Sequence, residues 1–261
     1  ITCMLVWAFS SIAQDRKHEV RAAWITCAYG LDWPQTRATN QTTRARQQAE
    51  LIKQLDELKA ANFNTVLFQA RTRGDVFYRS KIEPFSAILT GSVGKDPGYD
   101  PLAFVVEECH KRGLKVIMDI VPNHSSTSHW WYNDQPFADW THQWDKYTQS
   151  NWTFSTNMDF NASKADLYQM ESGWFDRSMA DMNLDNPYLL RYFQQWAIWW
   201  IEYSNLDGFR VDTYPYNEKM PMSEWCKAVM AEYPNFNIVG EVWTSSIPQL
   251  AYWQGDNYNK D

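Results

Sequence analysis

A chain of 261 residues with 44% hydrophobic and 21% charged residues has room for one large domain or two small ones and can bury a substantial core. A formal net charge of −7 rules against the basic stripe that nucleic acid or an anionic membrane would require. The 15 Trp, 14 Tyr and 13 Phe fit either an aromatic core or a surface that stacks flat apolar faces such as sugar rings.

The run ITCMLVWAFSSIA at residues 1–13 is too short to span a bilayer and gives way to the charged QDRKHE. Ser11 and Ala13 are the small residues a signal peptidase site requires, so residues 1–13 read as a partial signal peptide cut after Ala13. A buried first strand is the alternative there. With the leader removed, Cys27, Cys109 and Cys226 remain, an odd set without metal-type spacing, read as free thiols. VRAAWITC (20–27) is a candidate strand. Residues 44–61 carry Leu51, Leu55 and Leu58 at the helical period. NTVLFQA (64–70) is strand-like, and 100–113 opens on Asp-Pro and closes on Gly, the start and stop signals of a helix. LKVIMDIV (114–121) is a strand, and residues 186–205 an apolar helix. A strand in DGFRVDTY, a helix in MSEWCKAVMAEY and a strand in FNIVGEVW complete the order.

Strand and helix alternate about five times, and the strands are continuously apolar, which predicts a parallel sheet covered by helices. The polar interruptions Asp119, Asp212 and Glu241 fall at the C-terminal ends of their strands, where a (β/α)8 barrel builds its active site. A doubly wound sheet is less suited, because no Gly-rich phosphate loop follows any strand. The expected class is therefore α/β: an incomplete (β/α)8 TIM-type barrel of about five units with a long insertion after the third strand. Its parts are the start of the barrel over 14–121, an inserted small domain over 122–186, and the barrel's continuation over 187–261.

Lone acids at the ends of buried strands cost energy unless they are compensated or used. If the last two strands are neighbours about 4.8 Å apart, Asp212 and Glu241 can approach to the ~5–5.5 Å of a retaining glycoside hydrolase. Arg210, two residues before Asp212, shares its face and would keep it ionised as a nucleophile. Val242 and Trp243 offer Glu241 apolar neighbours that favour the protonated form a general acid needs. An Arg210–Asp212 pair that merely ties strands together is the competing reading.

DIVPNH (119–124), MADMN (179–183), GFRVD (208–212) and GEVW (240–243) stand in the order and spacing of four motifs of the α-amylase family, glycoside hydrolase family 13. The intervening text resembles its neopullulanase and cyclomaltodextrinase members, from about residue 113 to the end. The resemblance implies a secreted or periplasmic retaining glycosidase whose partner is an α-linked oligo- or polysaccharide. It implies Asp212 as nucleophile, Glu241 as acid/base, Arg210 as support for the nucleophile, and Asp119 and His124 as ligands of the sugar. Asn123 belongs in such enzymes to a structural or calcium-binding network, which makes calcium the one cofactor implied and no organic one.

Ala180 stands where that family usually has Pro, and Pro215 and Tyr216 where many members have Lys-His. The Asn-His-Asp segment that follows the seventh strand in the family is not in the sequence, so the chain as given is expected to be inactive and weakly stable. Residues 18–113, with HEVRAAWIT, FNTVLFQARTRGDVFYRS and GKDPGYDPLAFVVEECHKRG, resemble a different group, glycosyl-hydrolase-like family 10. The two resemblances meet near CHKRGLKVIMD (109–119). Arg71, Arg73, Asp75 and Tyr78 would sit at the mouth of the second strand, as part of a site or as a solvated loop. Two functions follow: a retaining α-glucan hydrolase, or a carbohydrate-binding barrel fragment without turnover.

Overall fold

The computed structural model describes residues 19–71, 75–244 and 246–254; the expected leader and Arg73 lie outside them. The chain enters through strand β1 (Ala22–Ile25) and helix α1 (Gln41–Ala60), which Asn40 caps by accepting from Thr43 N. Strand β2 (Thr65–Phe68), the single turn α2 (Ala87–Thr90), helix α3 (Pro101–Lys111) and strand β3 (Lys115–Ile120) follow. Asp100 caps α3 by accepting from Ala103 N at 3.0 Å, Pro101 occupies its first turn, and Gly113 leaves it with φ 63°.

An excursion then carries strand β4 (His124–Ser126), the turn α4 (Trp130–Asn133), helix α5 (Lys164–Ser172) and strand β5 (Met179–Asp181). β4 and β5 pair antiparallel as a separate two-stranded sheet, with His124 opposite Asp181. Helix α6 (Pro187–Ser204), capped by Asn186, returns the chain to the main sheet. Strand β6 (Gly208–Val211), helix α7 (Lys219–Glu232), strand β7 (Asn237–Gly240) and the short α8 (Ile247–Tyr252) complete the described chain.

The main sheet has the order β1-β2-β3-β6-β7, and all its pairings are parallel. It is an arc of a β/α barrel, because each strand is followed by a helix and neighbours in the sheet are neighbours in the chain's β/α series. Alternation splits its side chains into two sets. Val66, Phe68, Val116, Met118, Ile120, Phe209 and Val211 join one hydrophobic cluster with Leu51, Leu55, Val105, Phe193 and Trp225 of the helices. The register puts Trp24, Leu67, Ile117 and Gly208 in one row of the opposite face, and Asp119, Arg210 and Val239 in the next.

That opposite face departs from the expectation of fully buried strands. Trp24 is 43% and Val239 48% exposed, on β1 and β7. Both strands are edges of the sheet among the described residues, so each has a sheet neighbour on one side only.

Candidate active site

Arg210 is the centre of the upper row. In the β3–β6 register it stands directly opposite Asp119, and its Nη1 donates to Asp119 Oδ1 at 2.8 Å. The same Nη1 donates to Asp212 Oδ1 at 2.6 Å, and Nη2 meets Glu241 Oε1 at 2.5 Å. Asp212 and Glu241 lie one residue beyond β6 and β7, where Asp212 N still donates to Ile120 O and Glu241 N to Val211 O. One guanidinium therefore spans both acids, which holds them within the reach of two hydrogen bonds, compatible with the ~5–5.5 Å of retaining chemistry. The planar fork is suited to this in a way that a lysine is not. The ring of Trp24 lies 5.7 Å from Arg210 Cζ, so a residue of the first strand closes the arginine's remaining side by a cation–π contact.

Three carboxylates share this one cation. Burial holds the Asp119 carboxyl above its usual range; Arg210 opposes that, and the charges of Asp212 and Glu241 add to it. The apolar surroundings expected for Glu241 are not there. Trp243 is 80% exposed, and the Glu241 carboxylate instead faces Arg210 and accepts from Thr213 N at 3.1 Å. Thr213 can present that N–H because it turns through the left-handed region at φ 49°.

His124 opens β4 and stacks on Phe175, with ring centroids 5.3 Å apart and planes at 21°. Phe175 also meets Trp152 and Tyr216. Burial lowers the His124 pKa, opposed by the charge of Asp212, so the ring stands within electrostatic reach of the nucleophile candidate. Tyr216 is raised by burial and then by Glu241 and Asp212, which puts it beside the acids too.

Asn123 is fully buried; its Nδ2 donates to Asp181 Oδ1 at 3.0 Å, and its Oδ1 faces His124 Nδ1 at 3.1 Å. The second Asp181 oxygen is 2.7 Å from His142 Nδ1, and His142 Nε2 is 3.2 Å from Glu218 Oε1. Calcium does not fit this donor set as it stands. The Asn123 oxygen and both Asp181 oxygens already face nitrogen partners, and among the described residues no group of three or more His, Cys, Asp or Glu is placed to hold a metal ion. His142, Asp181 and Glu218 were not singled out from the sequence. They come from three separate segments, and only the Asp inside MADMN carried a motif that could have flagged one of them.

The expected cluster at the mouth of β2 is tied inward. Arg71 Nε and Tyr78 OH donate to the two oxygens of Glu83, at 2.6 and 2.8 Å, and Tyr78 is buried against Trp200. Glu83, which the sequence reading did not name, makes this a packed anchor. Cys27, Cys109 and Cys226 are free thiols, as expected.

Two family patterns match the sequence and overlap: "Glycosyl hydrolase-like 10" over residues 19–176 and "Alpha amylase, catalytic domain" over residues 98–260. Glycosyl hydrolase DigH of Escherichia coli (strain K12) is 43% identical over 107 residues, covering 40% of this chain and 24% of that protein. A cyclomaltodextrinase from Bacillus sp is 25% identical over 212 residues, covering 80% of this chain and 35% of that protein. An Anoxybacillus α-amylase crystal structure superposes with a TM-score of 0.57 at 26% identity, over 79% of this chain and 42% of that one. The chain thus spans a quarter to about two-fifths of the length of these relatives.

Proposed function

The chain belongs to the α-amylase catalytic-domain family and, over its first part, to glycosyl hydrolase-like 10, and from that premise we propose that it carries the retaining site of an α-glucan hydrolase, with Asp212 and Glu241 as the reacting pair. One observation carries the proposal: a single guanidinium bridges Asp119, Asp212 and Glu241 at the C-terminal ends of three adjacent parallel strands. The substrate class, an α-linked oligo- or polysaccharide such as starch, pullulan or a cyclodextrin, rests on the motif resemblance and on the cyclomaltodextrinase relative.

In the proposed reaction an Asp212 oxygen attacks the anomeric carbon while Glu241, carrying a proton, donates it to the departing glycosidic oxygen. The carbon–oxygen bond to the leaving sugar breaks, and a glycosyl ester on Asp212 forms. Glu241, now a carboxylate, takes a proton from water, whose oxygen attacks the same carbon and releases Asp212 with the anomeric configuration retained. Arg210 holds Asp212 in place for attack through its hydrogen bond. Asp119 and His124 hold sugar hydroxyls in the cleft. A secreted or periplasmic location rests on the leader read at residues 1–13; among the described residues no helix is long and apolar enough to cross a membrane.

The second reading, a sugar-binding fragment without turnover, draws support from Glu241, which stands ion-paired to Arg210 with no apolar shelter. Proton NMR of product anomers from maltoheptaose separates the two. Initial α-product that disappears in Asp212→Asn supports hydrolysis, since an amide cannot act as the nucleophile. Initial β-product refutes retention, and saturable binding without any product supports the second reading.

A further inference from the structure

Helix α6 turns an aromatic ridge to solvent. Tyr188, Tyr192, Trp199 and Tyr203 are exposed, and their positions fall on one face of the helix. Beyond Pro187, the other exposed residues of α6 are Arg191, Gln195 and Glu202, so none is aliphatic and none is a lysine. At the C-terminal end of the ridge the rings are fixed. Trp199, 51% exposed, and Tyr203, 42% exposed, stack with centroids 4.8 Å apart and planes at 11°. The buried Trp200 meets both edge-on, and Tyr203 OH donates to Arg79 O at 2.7 Å. Tyr203 also lines a groove of about 530 Å³ between α3 and α6, together with Asp100, Glu107, His110, Lys111 and Asn205.

We propose that Trp199, Tyr203 and this groove form a second binding site, on the helix side of the sheet, for a neutral oligosaccharide. Arg210 and its acids stand on the opposite face of the sheet, so a chain held at α6 leaves the cleft free.

The chemistry of the surface selects that occupant. A pyranose offers a flat C–H face, which stacks on an aromatic ring, and a rim of hydroxyls, which needs donors and acceptors side by side. The rings supply the first and the groove the second. Because Trp199 and Tyr203 are already held by Trp200 and by Arg79 O, little freedom is lost on binding. Charge points the same way. Glu107 and Lys111 pair at 2.7 Å and cancel, while the net charge of −7 keeps anionic partners off. A protein partner needs more surface than this. Four rings of ~150–250 Å² each, about half exposed, offer roughly 300–500 Å², short of the ~800 Å² per partner of a stable interface. A membrane would require the aliphatic and lysine side chains that this face lacks.

The test is ¹⁹F NMR of the 261-residue protein labelled with 5-fluorotryptophan and titrated with maltoheptaose and with cellohexaose. Asp212→Asn is present throughout, so that neither sugar is consumed. Trp199→Phe and Trp24→Phe identify the two signals of interest, each by the one it removes. At least one of the two sugars should shift the Trp199 signal saturably. Tyr203→Ala should weaken the binding read by that shift roughly five- to tenfold. A Trp199 signal that neither sugar moves overturns the proposal, as does one that moves with unchanged affinity in a folded Tyr203→Ala protein. The first titration decides the matter even where Tyr203→Ala does not fold. A Trp199 signal that moves with protein concentration alone, alongside a dimer in sedimentation, gives the ridge to a second copy and overturns the proposal too. Trp24, beside Arg210, reports the cleft separately. If Trp24 alone responds to sugar, the outer site falls and the cleft stands; if Trp199 alone responds, the outer site stands without it.

Discussion

Arg210 serves three anions with one charge, and its removal should be felt as their mutual repulsion. With Arg210→Leu the carboxyls of Asp119, Asp212 and Glu241 face one another without a cation, and Asp119, already raised by burial, loses the one group that lowers it. For acids raised on folding, stability is greatest below the unfolded pKa and is lost as pH rises through the folded one. The variant should therefore lose ~2–4 kcal/mol at pH 8 and much less at pH 5. Thermal melts at the two pH values check this, and equal losses at both would mean that the three acids do not interact through Arg210. Glu218 obeys the same rule with the opposite benefit. Its folded pKa of about 8 means that the wild type gives up stability as pH climbs from the ordinary carboxyl range toward 8. Glu218→Gln cannot ionise and should be the more stable protein at pH 8, by ~2–4 kcal/mol, with that advantage gone near pH 4. Urea unfolding across the range measures it; a constant difference at every pH would show that Glu218 does not titrate on unfolding.

Among the elements, β7 leaves no room for a side chain at Gly240. A Cβ added to Gly240 would come within 2.7 Å of Tyr214 Cγ, in the loop that joins Asp212 to α7. Gly240→Ala should cost ~1–3 kcal/mol and should displace the Tyr214 ring and, through it, the turn at Thr213 that donates to Glu241. Denaturant unfolding gives the first effect and Tyr ring NMR shifts the second; a variant of wild-type stability would mean that the loop yields freely. The same strand shows where sequence reading stops. Helices α1, α3 and α6 were legible by different signals: the leucine period of 44–61, the Asp100-Pro101 start and Gly113 stop of 100–113, and the apolar run of 186–205; the caps at Asn40 and Asn186 emerge only in the structure. The acids at the strand ends were legible because a charge interrupts an apolar run. The exposure of β1 and β7 was not, since whether a strand is an edge depends on what pairs beside it. β4 and β5 have three residues each, too few to show a period. His142 was invisible for a related reason: its partners Asp181 and Glu218 are 39 and 76 positions away, and nothing local marks a histidine that will meet them.

At the scale of the molecule, the arc of five strands leaves Trp24 and Val239 in solvent on its inner face. Every few hundred Å² of apolar surface left wet forfeits several kcal/mol at ~25 cal/mol per Å², a large part of the ~5–15 kcal/mol that holds an ordinary domain together. The 261-residue chain should accordingly melt broadly and bind a hydrophobic dye before it melts, and a chelator should leave the melt in place because the Asn123 network is held by hydrogen bonds. A sharp transition that moves down with chelator would count against both points. Arg210 also has a consequence at this scale. One positive charge amid three negative ones makes the floor of the cleft a well for cations, set in a protein already at −7. Ligands would be sorted there by sign before any contact is made: a sugar that gains positive character at its ring carbon is drawn down, a neutral glucan passes, and one bearing a phosphate is turned away at the rim.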